Sequence, residues 1–361
     1  MKERILRIFE NAPKDLDAVA IINDVEPNLD INFFYATGAT SGLFEGCVAL
    51  LWPDGRSEMF VSNLEETSAR STDAELHVFK NRVEREQLLK DALKKTKRLG
   101  VSGSGLTLRQ LSDLRKLTKA EVVDVWKSIE TVRAVKDTSE IEHLRQACLI
   151  TSEVADLVPG MLHEGLREYE AAAEINYLMQ KKGASAPSFS TNASFGANAA
   201  EPHHLPGEDQ LRKGQCALFD FGALCHRYGS DLTRTYYFRS VDRRQRRMYE
   251  VVLEAQRLGI ECVREGAKGK DVDATARRVI ESSEFKGLFN HSLGHGLGLS
   301  VHDGIKMSQE SDLVLKENMV LTVEPGIYAA GEGGVRIEDV VLVTKNGCEV
   351  LTNAKKELKV I

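Results

Sequence analysis

Residues 217–235, Ala-Leu-Phe-Asp-Phe-Gly-Ala-Leu-Cys-His-Arg-Tyr-Gly-Ser-Asp-Leu-Thr-Arg-Thr, set two acids, Asp220 and Asp231, into apolar runs. A carboxylate is costly to bury unless a positive group meets it. Apolar alternation over residues 216–221 and again over 232–238 predicts a β-hairpin turning at Gly229 and Ser230. The two acids then stand near facing positions on one inner face, an arrangement that suits a metal ion.

Outward from this stretch, a chain of 361 residues exceeds one typical domain and has ample sequence for a core. The net charge of -6 argues against nucleic acid or an anionic membrane as the main partner, since both select basic patches. The opening Met1-Lys-Glu-Arg-Ile-Leu-Arg-Ile-Phe-Glu reads as an amphipathic helix and lacks the apolar core of a signal peptide. No uncharged apolar run reaches the roughly 20 residues a bilayer needs, so a cytoplasmic location is expected. The six cysteines are scattered without a Cys-x-x-Cys pair, which predicts small buried hydrophobes in a reducing compartment.

Upstream, strand patterns (17–22, 47–52, 57–61, 99–102) alternate with helical ones (63–70, 85–97, 107–117), and Asn32-Phe-Phe-Tyr-Ala-Thr-Gly reads as an aromatic turn. Such alternation predicts an α/β domain over residues 1–126. Residues 128–157 form a long amphipathic helical region, interrupted at Lys136-Asp-Thr-Ser-Glu140, where Thr138 or Ser139 is the expected cap. That change of pattern opens a second, α+β domain over residues 127–361. A helix at 169–182 should stop at Gly183, and residues 185–206, rich in Ser, Asn, Ala, Gly and Pro, read as loop or edge structure ending in Glu201-Pro-His-His-Leu-Pro-Gly.

Downstream lie helices at 242–265 and 272–282, the first with arginines that read as a solvated face. Then comes His291-Ser-Leu-Gly-His-Gly-Leu-Gly-Leu-Ser-Val-His-Asp-Gly. Its glycines fail the spacing of a dinucleotide-binding loop. Histidines 291, 295 and 302 among small residues instead fit a strand carrying ligands where another chain segment approaches closely. Residues 320–323 and 335–343 read as paired strands that carry Glu324 and Glu338. Asp220, Asp231, His295, Glu324 and Glu338 together suit two divalent ions such as Mn, Co, Fe or Zn rather than a thiolate-bound structural zinc.

The segments Phe219-Asp-Phe-Gly, Ser230-Asp-Leu-Thr-Arg-Thr, Gly294-His-Gly-Leu-Gly, Thr322-Val-Glu-Pro-Gly-Ile-Tyr and Gly333-Gly-Val-Arg-Ile-Glu-Asp resemble the pita-bread (M24) metallopeptidases, which include Xaa-Pro dipeptidase (prolidase), aminopeptidase P and methionine aminopeptidase. The resemblance spans the chain: residues 1 to about 125 look like the creatinase-like N-terminal domain, which methionine aminopeptidases lack. It therefore implies the proline-directed branch and a compact homodimer whose subunits limit each other's sites.

Residue by residue, the resemblance implies that Asp220 chelates one metal, His295 and Glu324 the other, and that Asp231 and Glu338 bridge. Glu324 would also shuttle a proton. His203 and His302 would bind the scissile carbonyl, with His291 and Thr233 supporting the ligands. Arg336 fits either a structural partner of the acids or a substrate contact. Lys306, four residues after His302, falls where prolidases can carry an Arg and is the candidate for the substrate carboxylate. His302-Asp-Gly, in place of the His-Glu-x-Pro of that branch, looks more like aminopeptidase P. Proline-containing dipeptides or short peptides are the expected substrates, with Mn or Co the first metals to test. A metal-free creatinase-like hydrolase and a non-catalytic peptide-binding protein are the rival readings.

Overall fold

An amphipathic helix, Lys2–Asn11 (α1), opens the chain and buries Ile5 and Ile8, as its charge pattern predicts. Ala18–Ile22 (β1), Ile31–Thr37 (α2), Val48–Leu51 (β2), Ser57–Ser62 (β3), Glu66–Ala69 (α3), Glu75–Phe79 (β4), Arg82–Ala92 (α4), Arg98–Val101 (β5), Leu108–Leu117 (α5), Glu121–Asp124 (β6) and Trp126–Ala134 (α6) follow. The strands form one mixed sheet in the order β4-β3-β2-β1-β5-β6. The aromatic stretch expected as a turn is instead helix α2, because the Asp30 side chain accepts the Asn32 amide at its start and Gly38, at φ 71°, closes its end.

The computed structural model describes residues 1–361 and separates into units 1–133 and 134–361. The division falls at the far end of α6, whereas the sequence pattern placed it after residue 126, the first of that helix.

In the second unit Thr138–Met161 (α7) is capped by Asp137 rather than by Thr138 or Ser139. The Asp137 carboxylate accepts the Glu140 amide and Glu140 accepts the Asp137 amide, both at 3.0 Å. Glu168–Lys181 (α8) comes next, with Gly183 beyond it at φ 106°. Residues 185–206 hold more order than a loop: Ala186–Pro187 (β7), Asn192–Phe195 (β8) and a 3-10 turn, Gly196–Ala200. Burial explains this, since all four residues of β8 are covered and pair with the strand that carries Asp220.

Cys216–Phe221 (β9) and Leu232–Tyr237 (β12) form the expected antiparallel pair, with Asp220 opposite Thr233. The turn is not at Gly229 and Ser230. Ala223–Cys225 (β10) and Tyr228–Gly229 (β11) prolong the hairpin to His226 and Arg227, at φ 48° and 70°, the left-handed pair that matches strand twist. Gly222 is required at the crossover, for a Cβ there would lie 1.8 Å from the Ser230 carbonyl oxygen.

Arg243–Cys262 (α9) and Gly269–Glu281 (α10) precede Gly294–His295 (β13), Lys306–Met307 (β14), Val320–Val323 (β15), Gly326–Ala329 (β16), Gly333–Arg336 (β17), Asp339–Val343 (β18) and Cys348–Val350 (β19). The strand expected at 335–343 is two strands: β17 pairs with β16 and β18 with β15, and Glu338 lies at the break. His291 and His302 lie outside the short strand that carries His295. Val252 and Ala255 of α9 and Ala276 and Ile280 of α10 pack in one buried core with Val323 and Val341. At about 1.5–3 kcal/mol for each large aliphatic side chain, that core offsets the cost of holding polar groups inside. All six cysteines are unpaired, and no helix is long and apolar enough to cross a membrane.

Candidate metal centre

Four backbone junctions bring the five candidate ligands together. Asp220 sits on β9, and Asp231 immediately before β12, two residues from the Thr233 that faces Asp220. Glu324 follows β15 and Glu338 precedes β18, one step beyond the registered pair Val323 and Asp339. The short strand β13 lies against β15: the Glu324 amide donates to the Leu293 carbonyl at 2.8 Å, and the His295 amide to the Thr322 hydroxyl at 3.0 Å. This approach explains Gly294, where a Cβ would lie 2.0 Å from the Thr322 carbonyl oxygen.

One potential ligand atom from each of Asp231, His295 and Glu338 lies within 4.8 Å of the others, and all three residues are buried. His295 Nε2 is 3.3 Å from Glu324 Oε1 and 3.6 Å from Asp231 Oδ2. His295 Nδ1 lies 3.1 Å from the Gly296 carbonyl. A carbonyl only accepts, so that contact assigns the proton to Nδ1 and turns the Nε2 lone pair toward the acids. A lone pair facing two carboxylates is repulsive unless a proton or a cation lies between them. Burial lowers the His295 pKa, so the proton is disfavoured.

The acids carry the same message. Burial, then the charge of neighbouring acids, raises Asp231 and Glu338 well above the usual carboxylate range. Burial likewise pushes Glu324 up to about 8, with Asp220 adding repulsion against the pull of Arg336. Asp220 Oδ1 and Glu338 Oε1 are buried with no hydrogen-bond partner. Four carboxylates, one imidazole lone pair and two orphaned oxygens, with Arg336 alone bonded to Asp220, are a donor set that fits divalent cations.

A rigid scaffold surrounds the donors. Arg336 donates to Asp220 Oδ2 at 2.5 Å, to the Thr233 hydroxyl at 2.9 Å and to the Tyr328 hydroxyl oxygen at 2.9 Å. Thr233 in turn donates to Glu338 Oε2 at 2.7 Å. Of the two readings of Arg336, these contacts are those of a partner to the acids. Burial, then Arg336, lowers His291 to about 3, so its ring is neutral. Its Nδ1–H donates to the Ser292 carbonyl and its Nε2 accepts the Tyr328 hydroxyl, both at 2.8 Å. His291 therefore has no lone pair to offer a metal.

The ring of His302 packs edge-on against His295, centroids 4.3 Å apart. His203 is exposed, yet within electrostatic reach of Glu324, His291 and His302. His204 bonds Glu168 at 2.8 Å. Lys306 is directly opposite His295 in the β13–β14 pair, so both side chains leave the same face of the ribbon. Sequence reasoning gave no role to Tyr328 or Thr322, although both lie inside a quoted motif. It also passed over Glu168, which has no local signal beyond its place at a helix start.

Comparison with known proteins agrees with this geometry. Residues 142–345 match the model of metallopeptidase family M24, and residues 4–135 that of the creatinase/prolidase N-terminal domain. An Xaa-Pro dipeptidase of Pyrococcus furiosus is 36% identical over 99% of this chain and 100% of its own. The crystal structure of the prolidase from Pyrococcus horikoshii superposes with a TM-score of 0.89 at 34% identity, covering 99% of each chain. That of an X-Pro aminopeptidase from Thermotoga maritima gives 0.90 at 29% identity, covering 96% of this chain and 98% of that one. The chain belongs to metallopeptidase family M24, with the creatinase-like α/β domain ahead of the pita-bread α+β domain.

Proposed function

We propose that this chain is an Xaa-Pro dipeptidase using two divalent metal ions, with Mn or Co the first to test and Zn or Fe as alternatives. The carrying observation is the His295 lone pair set against buried, partly orphaned carboxylates, in a chain that aligns end to end with Xaa-Pro dipeptidases. Asp220 would hold one ion, His295 and Glu324 the other, and Asp231 and Glu338 both. When bound, such ions polarise a carbonyl and lower the pKa of water.

The chain's own residues supply the rest. Glu324, held by the Thr322 hydroxyl at 3.3 Å, receives the proton from the attacking water and passes it to the departing proline nitrogen. His203 and His302 donate to the scissile carbonyl oxygen as negative charge grows on it. Arg336, anchored by Thr233 and Tyr328, fixes the Asp220 carboxylate. An Xaa-Pro bond has no N–H, so the site needs no acceptor for one. Lys306, exposed beside His295, meets the carboxylate of the proline. A homodimer in the cytoplasm belongs to the same proposal, and sedimentation equilibrium checks the dimer.

Aminopeptidase P is the second reading, favoured by His302-Asp-Gly and by a lysine at 306, which lacks the bidentate grip of arginine. Chelator-stripped enzyme, assayed on an Xaa-Pro dipeptide and an Xaa-Pro-Xaa tripeptide before and after Mn or Co is restored, separates the two. Dipeptide cleavage alone is expected, and Lys306→Met should raise its KM about tenfold, the loss of one exposed ionic contact worth about 1.4 kcal/mol. Equal or faster tripeptide cleavage selects the aminopeptidase. With metals bound and neither substrate cut, proline specificity is refuted.

A further inference from the structure

Glu168 is fully buried, which a carboxylate tolerates only when its oxygens are satisfied. One oxygen accepts the Phe195 amide at 2.8 Å and the Asn198 side-chain amide at 3.0 Å. The other accepts His204 Nε2 at 2.8 Å and the Gly207 amide at 2.9 Å. All four acceptor positions of the carboxylate are filled. Every donor lies between residues 195 and 207, the segment that carries His203. The carboxylate itself is anchored at the first turn of α8, where unpaired amides favour negative charge.

The clamp has a direction. His204 is drawn inward to Glu168, while its neighbour His203 stays exposed, within electrostatic reach of Glu324 and His302. The Asn192 side chain also donates to the carbonyl of Pro202, just before His203, at 3.3 Å, and Asn192 is registered opposite Asp220. The same segment is therefore tied to α8 and to β8, the strand paired with that of a metal-ligand candidate. We infer that Glu168 is a positioning residue for catalysis: by gripping both ends of the 195–207 segment, and His204 within it, it aims His203 at the scissile carbonyl. This rests on the reading of His203 given above.

Glu168→Gln tests it, because a carboxamide keeps the shape but sets an NH2 group against two of the four donors. The expected result on an Xaa-Pro dipeptide is a kcat lower by about 10- to 100-fold, with KM and metal content near wild type and a lowered melting temperature. The double variant Glu168→Gln/His203→Ala should turn over within about threefold of His203→Ala alone, since an unaimed histidine and a missing one are the same defect. Losses that multiply, or a rate loss matched by lost metal, would reduce Glu168 to a structural residue and overturn the inference.

Should Glu168→Gln not fold, His204→Leu and His204→Gln replace it. The leucine variant should be slow, and the glutamine, which can still donate to Glu168, should recover most of the rate. Equal rates for the two overturn the inference. His203→Ala at the wild-type rate would refute the reading of His203 and this inference with it. Glu168→Gln at the wild-type rate beside a slow His203→Ala refutes the positioning role alone.

Discussion

Glu338 and Asp339 are consecutive, both buried, and chemically almost the same, yet they live in opposite environments. Asp339 fills its acceptor positions: Arg234 and the Thr352 hydroxyl at 2.8 Å on one oxygen, Gln256 and Lys356 at 2.7 Å on the other. Burial alone would raise its pKa, but Arg234 and Lys356 outweigh it and hold the carboxyl below the usual range. Glu338 has the Thr233 hydroxyl on one oxygen and nothing on the other, and burial with the charges of Glu324 and Asp220 drives its pKa well up. A strand turns successive side chains to opposite faces, so one residue of offset separates a satisfied ion pair from an unmet charge. The first is architecture; the second is part of a donor set that fits a cation.

The sharpest way to break this contrast is Asp231→Asn. Removing one of the unmet acids should cost more than about 10³-fold in kcat and lower metal content, as measured by turnover and metal analysis. Full turnover with both metals bound would show that Asp231 is not shared between them. On the architectural side, Asp339→Asn should leave Arg234 and Lys356 buried against a neutral group and cost about 3–5 kcal/mol in denaturant unfolding. Next in size, His302→Ala should lower kcat by about 10²-fold while metal content stays near wild type, since its ring packs on His295 without joining the acids. Loss of metal instead would move His302 among the ligands.

The last effect is in pH. In the metal-stripped protein Glu324 is protonated in the folded state up to about 8 but ionises near the ordinary value when unfolded. Its contribution to stability is thus present at low pH and lost as pH rises from the ordinary carboxylate range through about 8. Asp339 runs the other way: its folded pKa is lowered, so its contribution is present above the ordinary value and lost as pH falls through the folded one. Metal addition should abolish the alkaline loss and release protons on binding. Thermal unfolding against pH, with and without Mn, checks both signs. An alkaline slope unchanged by metal would mean that the acids are not its ligands.

Much of the fold was legible because period-two and helical patterns are local properties. The antiparallel pairing of β9 with β12 and the helices α9 and α10 follow from where apolar residues fall. Errors arose where a distant partner overrode local preference or where nearby caps and close backbone contacts decided the conformation. Residues 192–195 look like loop but are a covered strand, because β9 offers hydrogen bonds and burial. Asn32-Phe-Phe-Tyr looks like a turn but is a helix, because Asp30 and Gly38 cap both ends. The hairpin tip moved to His226 and Arg227 because Gly222 serves a close crossing instead.

The amino-acid order by itself determined which residue types could hold cations and that five of them recur in apolar surroundings, because burying an acid is costly anywhere in a fold. It equally determined the family, through motifs that each need particular residues at fixed spacing. Only the tertiary structure decided which atoms meet. The facing of His295 Nε2 to Asp231 and Glu324, the bonding of Arg336 to Asp220, the Tyr328 link to His291 and the four donors gathered on Glu168 all join residues far apart in the chain. Hydrogen bonds depend on distances of a few tenths of an ångström and on angle, and those are fixed by how strands and helices pack rather than by spacing along the chain.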